Sequence, residues 1–205
     1  MHLRNSIRRA GITVLGLAAL LPMTAVAQEL RSEIAVQGTG FFTKNSKGHG
    51  IRERATESGG VLFDYRYNLN YWLTADVSYA HGRNTQIYSG STQARVQANL
   101  NQFTGAAVVK LPPLTRLQPY VLAGGGGLVF SPTRNAGGTL TGTTRQTRGA
   151  FLYGVGADYA LTDHISFRIE YRGLVYKAPS FHLSRLNTSA WTRLAQPSVG
   201  IVFRF

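Results

Sequence analysis

The chain has 205 residues, 43% of them hydrophobic, enough for one domain and a short appendage. Its 22 Lys and Arg against 9 Asp and Glu give a formal charge of +13, and cysteine is absent, which excludes a disulfide framework, a thiolate metal site and a lipidated cysteine. The longest apolar run, Ile12 to Leu21, falls short of the roughly 18 residues that a membrane-spanning helix needs, so helical spans are excluded as well.

Read from the N-terminus, Arg4, Arg8 and Arg9 form a basic n-region, Ile12 to Leu21 an apolar h-region, and Ala25-Val26-Ala27 a small-residue cleavage site. Residues 1–27 are therefore predicted to be a signal peptide, cleaved near Ala27, with residues 28–205 as the mature domain. Loss of the three arginines brings +13 to +10. In a cytosolic protein that charge points to nucleic acid. An exported protein meets lipopolysaccharide phosphates, acidic lipids and acidic polysaccharides instead, so no nucleic-acid partner is expected.

The mature chain is dominated by period-two alternation, the strand signature in which successive side chains point to opposite faces. Eight such runs follow in order. Ile34, Val36, Gly38, Gly40 and Phe42 alternate with Glu33, Ala35, Gln37 and Thr39; Val61, Phe63, Tyr65 and Tyr67 with Leu62, Asp64 and Arg66; Leu73, Ala75, Val77 and Tyr79 with Thr74, Asp76 and Ser78. The fourth run changes phase, with Val96, Ala98 and Leu100 on one parity and Phe103, Ala107 and Val109 on the other. A β-bulge near Asn101 or Gln102 would restore it. Tyr120, Leu122, Leu128 and Phe130 mark the fifth run, and Phe151, Tyr153, Val155, Ala157, Tyr159 and Leu161 the sixth. In the seventh, Phe167, Ile169 and Tyr171 oppose Ser166, Arg168, Glu170 and Arg172. In the eighth, Val199, Ile201, Phe203 and Phe205 oppose Ser198, Gly200 and Arg204.

The connections near 43–58, 81–93, 131–148 and 177–191 are long and polar, whereas those near 68–71, 111–117 and 161–164 are short. Long and short alternate, as in a barrel with one end outside the cell and the other in the periplasm. Threading the strands up and down gathers the aromatics into two girdles: Tyr65, Tyr67, Tyr120, Tyr159, Phe167, Phe203 and Phe205 at the short-turn end, and Phe42, Tyr79, Phe130, Phe151, Tyr153 and Tyr176 at the other. A soluble β-sandwich also alternates, but it explains neither the loop lengths nor the aromatic ends. The predicted fold is all-β, an eight-stranded antiparallel up-and-down transmembrane β-barrel.

The C-terminal stretch Ser198-Val199-Gly200-Ile201-Val202-Phe203-Arg204-Phe205 resembles the outer-membrane assembly signal, its apolar residues being Val199, Ile201, Phe203 and Phe205. With the signal peptide and eight strands, the mature chain resembles the small outer-membrane β-barrel family that includes the OmpA barrel domain and OmpX-like proteins. That resemblance implies location in the cell outer membrane and insertion by the outer-membrane assembly machinery. It says little about activity.

Asp64, Arg66, Asp76, Asp158, Arg168, Glu170, Arg172 and Arg204 fall on the polar parity and are expected to fill the barrel interior as a paired network. A conducting pore is the alternative. His164-Ile165-Ser166 is similar to the His-x-Ser of outer-membrane lipid A deacylases, but no acid follows at a distance that would complete a triad. With five scattered His and no acidic cluster, no metal site is expected. The four glycines Gly124 to Gly127 precede no helix, so strand curvature is expected there rather than a phosphate cradle.

Lys44, Lys47, Arg52, Arg54, Arg83, Arg134, Arg145, Arg148, Lys177, Arg185 and Arg193 recur across all four predicted outer loops, against Glu53 and Glu57 alone. Such a surface contacts lipopolysaccharide and could contact acidic glycans. The sequence therefore predicts a monomeric, non-enzymatic outer-membrane protein without cofactor, structural or anion-contacting in role. A small porin-like channel and a lipid A-modifying enzyme stand as alternatives.

Overall fold

The computed structural model describes residues 31–44, 46–48, 51–89, 94–133, 145–177 and 191–205. The predicted signal peptide lies outside the described residues. Ten strands occur among them, in chain order β1 (Ser32–Thr43), β2 (Ser46–Gly48), β3 (Ile51–Ala55), β4 (Ser58–Asn68), β5 (Leu73–Ser89), β6 (Ala94–Lys110), β7 (Leu117–Pro132), β8 (Gln146–Ala160), β9 (Ile165–Lys177) and β10 (Trp191–Arg204).

Eight of these, all but β2 and β3, pair antiparallel with their neighbours and close on themselves through β1 and β10. Closure pairs the barrel strands with one another all the way round, which is what backbone polar groups require in lipid. Passing once round the barrel from Glu33 through Arg66, Asp76, Ala106, Gly124, Leu152, Leu174 and Leu194 returns to β1 at Thr43, a stagger of ten residues. That stagger tilts the strands and sets a bore narrow enough for side chains to fill.

The short connections are tight turns held by local bonds. Asn70 Oδ1 accepts from the backbone N–H of Trp72 at 3.0 Å and of Leu73 at 2.7 Å, and Thr162 Oγ1 accepts from Ile165 N–H at 3.0 Å. At the other end the wall rises higher than the sequence suggests. β5 and β6 stay paired as far as Tyr88 and Ala94, so most of the loop expected at 81–93 is strand. The expected loop at 43–58 likewise contains β2 and β3, and β3 continues β4 upward along β5. The register slips by one residue between Ala55↔Gln86 and Gly60↔Gly82, so a bulge lies here.

No bulge lies near Asn101 or Gln102. β6 keeps one register with β5 and with β7 along its whole length. From Ala98 to Lys110 its even residues face inward, and the phase change expected there arises because the lumen itself turns apolar at Leu100 and Ala98. Of the four glycines, Gly124 and Gly126 are the ones the fold requires. A Cβ on either would lie 2.0 Å from a carbonyl oxygen of β6, so β7 curls against β6 only because both lack side chains.

The outer wall carries the apolar parity of the other strands, including Ile34, Val36, Phe63, Val77, Phe151, Val155, Ile169 and Ile201. The girdle at the short-turn end contains Tyr65, Tyr67, Tyr159, Phe167, Phe203 and Phe205, joined by Tyr71 and Trp72; Phe42, Phe151, Tyr153 and Trp191 mark the other end. Three aromatics expected in these girdles are instead in the lumen. Tyr120, Phe130 and Tyr176 are at most 2% exposed, because they lie on the inward parity of β7 and β9.

Candidate functional site

Two features concentrate charge, and both follow from strand parity. The first is the lower lumen, nearest the short turns. Inward residues of β1, β4, β5, β8 and β9 place Glu33, Asp64, Asp76, Asp158 and Glu170 together with Arg66, Arg168 and Arg172, all at most 3% exposed. Lys110 and Arg204 complete the set from the bottom of β6 and β10.

Arg168 is the hub of one half. Its guanidinium donates from Nη1 to Asp64 Oδ1 at 2.6 Å, from Nη2 to Glu33 Oε2 at 3.0 Å, and to both oxygens of Asp158, at 2.7 Å from Nε and 2.8 Å from Nη2. Glu170 is the hub of the other. It accepts from Arg66 Nη2 at 2.5 Å, from Arg172 Nε and from the Tyr120 hydroxyl at 2.6 Å. Arg66 reaches on to Asp76 Oδ2 at 2.8 Å and lies over the Tyr120 ring at 4.5 Å. Around these hubs, Gln37 donates to Asp64, Ser198 donates to Gln37, and Arg172 donates to Ser78. Five carboxylates face five cations in this network, so the network carries no net charge. Buried ions at this depth persist because each is paired and hydrogen-bonded.

Above the network the lumen is apolar. Phe41, Leu62, Ala80, Leu100, Leu128, Phe130, Leu152, Leu174, Tyr176 and Leu194 form one cluster. Gln102 and Gln196 stand inward near the junction, fully buried, and neither side-chain amide has a hydrogen-bond partner among the described residues.

The second feature is the outer face of the long-loop end. Lys44, Arg145, Lys177 and Arg193 are exposed there. Lys177 and Arg193 belong to β9 and β10, so these are strand-end cations on the wall rather than loop cations as expected; the strands simply run further than the alternation shows. Arg148 belongs to β8 but sits on its inward parity opposite Leu128 with Nε buried, so it faces the lumen rather than the outer surface. Lys177 Nζ lies 5.7 Å from the Trp191 ring centroid. The side chains of Lys47, Arg52 and Arg54, and the residues Arg134 and Arg185, lie outside the described residues.

All eight interior charges named from the sequence fall on the inner wall and are brought into one network. Glu33, Lys110 and Tyr120 are network members that the sequence reading did not single out. Glu33 and Lys110 sit at strand ends, where alternation is weakest, but both share the inward parity of their runs. His164 and Ser166 are not brought together: His164 sits on an exposed turn against the Phe203 ring, while Ser166 is buried in the lumen with its hydroxyl unpartnered among the described residues. No cluster of His, Asp and Glu with metal-binding geometry occurs among the described residues. Phe205 seals the seam, exchanging backbone bonds with Ser32 at 2.9 and 3.0 Å, and its ring stacks with Phe203 on the outer wall.

The model of the outer membrane protein beta-barrel domain family matches residues 13–205. In structure the chain is similar to the outer membrane protein OprG of Pseudomonas aeruginosa, with a TM-score of 0.59 and 13% identity over 85% of this chain and 96% of that one. It is similar to Neisserial surface protein A, with a TM-score of 0.57 and 18% identity over 84% and 97%. It is also similar to Ail, the attachment invasion locus protein of Yersinia pestis in complex with the heparin analogue sucrose octasulfate, with a TM-score of 0.50 and 16% identity over 85% and 99%. No curated protein matches it in sequence.

Proposed function

The chain belongs to the outer membrane protein beta-barrel domain family and is a cell outer membrane protein, and within that family we propose a non-enzymatic barrel that presents cations to anions at the cell surface. Lipopolysaccharide phosphates are the first such anions, and acidic glycans the second. The observation that carries this reading is the charge balance of the lower-lumen network. Five acids are used up there against five cations, so the surplus of the mature chain is left outside it, and most of it falls at the long-loop end. A protein of the same fold, Ail, has been solved with a sulfated sugar.

The filled lower lumen favours a structural interior over a conducting one. The separation of His164 from Ser166 favours a non-enzymatic barrel. Closure pairs the barrel strands all the way round, which favours a monomer. We assign Val199, Ile201, Phe203 and Phe205 as the signal read by the outer-membrane assembly machinery, since all four project outward from the closing strand.

The test is binding of the folded barrel to lipopolysaccharide and to a heparin-like glycan. Replacing Arg134, Arg145 and Arg185 by Ser weakens it without unfolding the barrel, because loops and strand tips contribute little to closure. Binding falls as salt rises, since exposed charges are screened over about 8 Å at physiological ionic strength. Salt-insensitive binding sinks the reading.

A further inference from the structure

The outer wall is not evenly covered. Between β1, β10 and the adjoining faces of β9 and β8 lies a groove of about 860 Å³. Its floor is made of small outward residues, Gly38, Gly40 and Ala157, together with Pro197; Phe42 and Tyr171 rise beside it. The seam is also interrupted beneath it. Paired residues pass from Thr39↔Ser198 to Phe42↔Ala195, and Pro197, which has no N–H to give to the ladder, stands between them. Thr39 Oγ1 instead donates to the Pro197 carbonyl at 3.0 Å.

Directly above the groove, the same outward parities end in cations. β1 continues from Phe42 to Lys44, β10 from Pro197 to Arg193, and β9 from Tyr171 to Lys177. Lys44 and Arg193 are adjacent, with Lys44 N–H donating to the Arg193 carbonyl at 2.8 Å, and Lys177 is paired with Trp191 one step further round. None of the three forms an ion pair among the described residues, and Glu57, the described acid at this end, engages none of them. Lys44 lies four positions beyond Gly40, which at about 3.4 Å per residue is roughly 14 Å along the tilted strand and roughly 10 Å along the membrane normal, within a single leaflet. One leaflet of hydrocarbon is about 15 Å thick. A lipid whose acyl chain fills the groove therefore places its headgroup at the three cations.

We infer that the groove over the β1–β10 seam, with Lys44, Lys177 and Arg193 above it, is a binding site for a phosphorylated, acylated lipid of the outer leaflet, of the lipid A type. The site rests on the surface-anion reading above and gives it a location: phosphate on the cations, acyl chain on the glycine floor. The chain covers the one stretch of seam that the ladder leaves open. A second copy of the protein or a general acidic phospholipid are the competing occupants.

The experiment counts lipids retained by the full barrel, folded in detergent, by native mass spectrometry during titration with lipid A. Parallel arms use lipid A stripped of its phosphates, the deacylated phosphosugar, and phosphatidylglycerol. Gly38→Trp fills the groove, and the barrel accommodates it because a Cβ there meets nothing nearer than the Val199 carbonyl at 4.0 Å. It should abolish retention. The triple variant Lys44→Ser, Lys177→Ser, Arg193→Ser should weaken retention by on the order of a hundredfold, and wild-type protein should retain neither the dephosphorylated lipid nor the phosphosugar comparably. The heat-modifiable band shift reports folding for each variant, and Gly38→Leu replaces Gly38→Trp if the larger residue blocks it. Retention unchanged by a folded groove-filling variant overturns the site. If salt-sensitive binding to the outer cations persists in that same protein, the surface-anion reading survives the loss; if that binding is absent from wild type, the reading fails separately. Equal retention of phosphatidylglycerol overturns lipid A as occupant, and a dimer dispersed by Gly38→Trp overturns it in favour of a second copy.

Discussion

The lower and upper halves of the lumen have the same walls and opposite contents. Below, ten charged side chains are held by bonds that cross from strand to strand, several joining residues more than a hundred positions apart, such as Arg168 with Asp64 and Arg66 with Glu170. Above, leucines and aromatics interdigitate in one apolar cluster. The ionic half depends on completeness: each removed partner strands the others in a medium where they cannot be solvated. The apolar half depends on volume, and a lost group costs its transfer energy plus the cavity it leaves. Two ways of filling one bore thus fail differently, and substitutions can tell them apart.

The sharpest break is Arg168→Met. It removes the donor shared by Glu33, Asp64 and Asp158 and leaves three carboxylates facing one another. We expect a loss of about 3–5 kcal/mol, the usual cost of breaking a buried pair, read by urea unfolding of the barrel in lipid vesicles. Arg168→Lys keeps the charge but cannot supply the fork, and should recover part of that loss. Glu170→Ala belongs to the same class, since it strands Arg66 and Arg172. A loss under about 1 kcal/mol for both would show that the lower lumen tolerates unpaired charge, contrary to its low exposure.

In the apolar half, Leu128→Ala or Leu174→Ala should cost about 2–3 kcal/mol, at the lower end for a large-to-small change because the bore can partly collapse. Introducing Asp at Leu174 should cost more than Ala, because its cross-strand partners are Leu152 and Leu194 and no cation faces it. If Asp and Ala cost the same, the upper lumen is wet and the contrast between the halves disappears.

Deleting Phe205 acts on the wall at the ionic end. Its two backbone bonds to Ser32 lock the bottom of the seam. Their loss should lower stability by roughly 1–3 kcal/mol, while export is retained and the amount of heat-modifiable, membrane-integrated protein falls. Wild-type levels of integrated protein would remove Phe205 from the assembly signal.

The difference between the halves also decides what could be read from the sequence. Wherever the lumen is ionic, inward residues are polar, outward ones apolar, and alternation is clean, as along Phe167 to Arg172. Wherever the lumen is apolar, both faces of a strand are apolar and parity loses its meaning. That is why Phe130 and Tyr176 were expected in the girdles, and why β6 suggested a bulge it does not have; Tyr120 was expected there because an aromatic near a strand end reads as a girdle residue, although its ring lies under Arg66 in the ionic half. The basic surface was legible as composition, but its division between wall and loop was not, since charged strand ends above the membrane look like loops. The groove was legible only in part. Gly38 and Gly40 stand in the first run and Pro197 near the last, but that they meet on one face depends on closure between the two ends of the chain.

The finest comparison lies near the junction, where Gln102 and Gln196 are both buried and both lack partners among the described residues. Gln102 stands between Leu100 and Thr104 on β6, with Ala80 and Leu128 opposite it on the neighbouring strands. Gln196 is paired with Arg172, whose Nη2 is likewise without a hydrogen bond. An amide buried without partners costs about 1–3 kcal/mol, and an apolar replacement of similar shape recovers some of it. Gln102→Met should therefore stabilise the barrel by about 1 kcal/mol in urea unfolding. Gln196→Met should gain nothing, because it takes an acceptor away from beside Arg172 while removing one orphaned amide. Equal effects at the two positions would mean that the junction is a gradual mixture of the two halves. A gain at Gln102 alone would place the boundary between these two glutamines, with the ionic layer ending at Arg172.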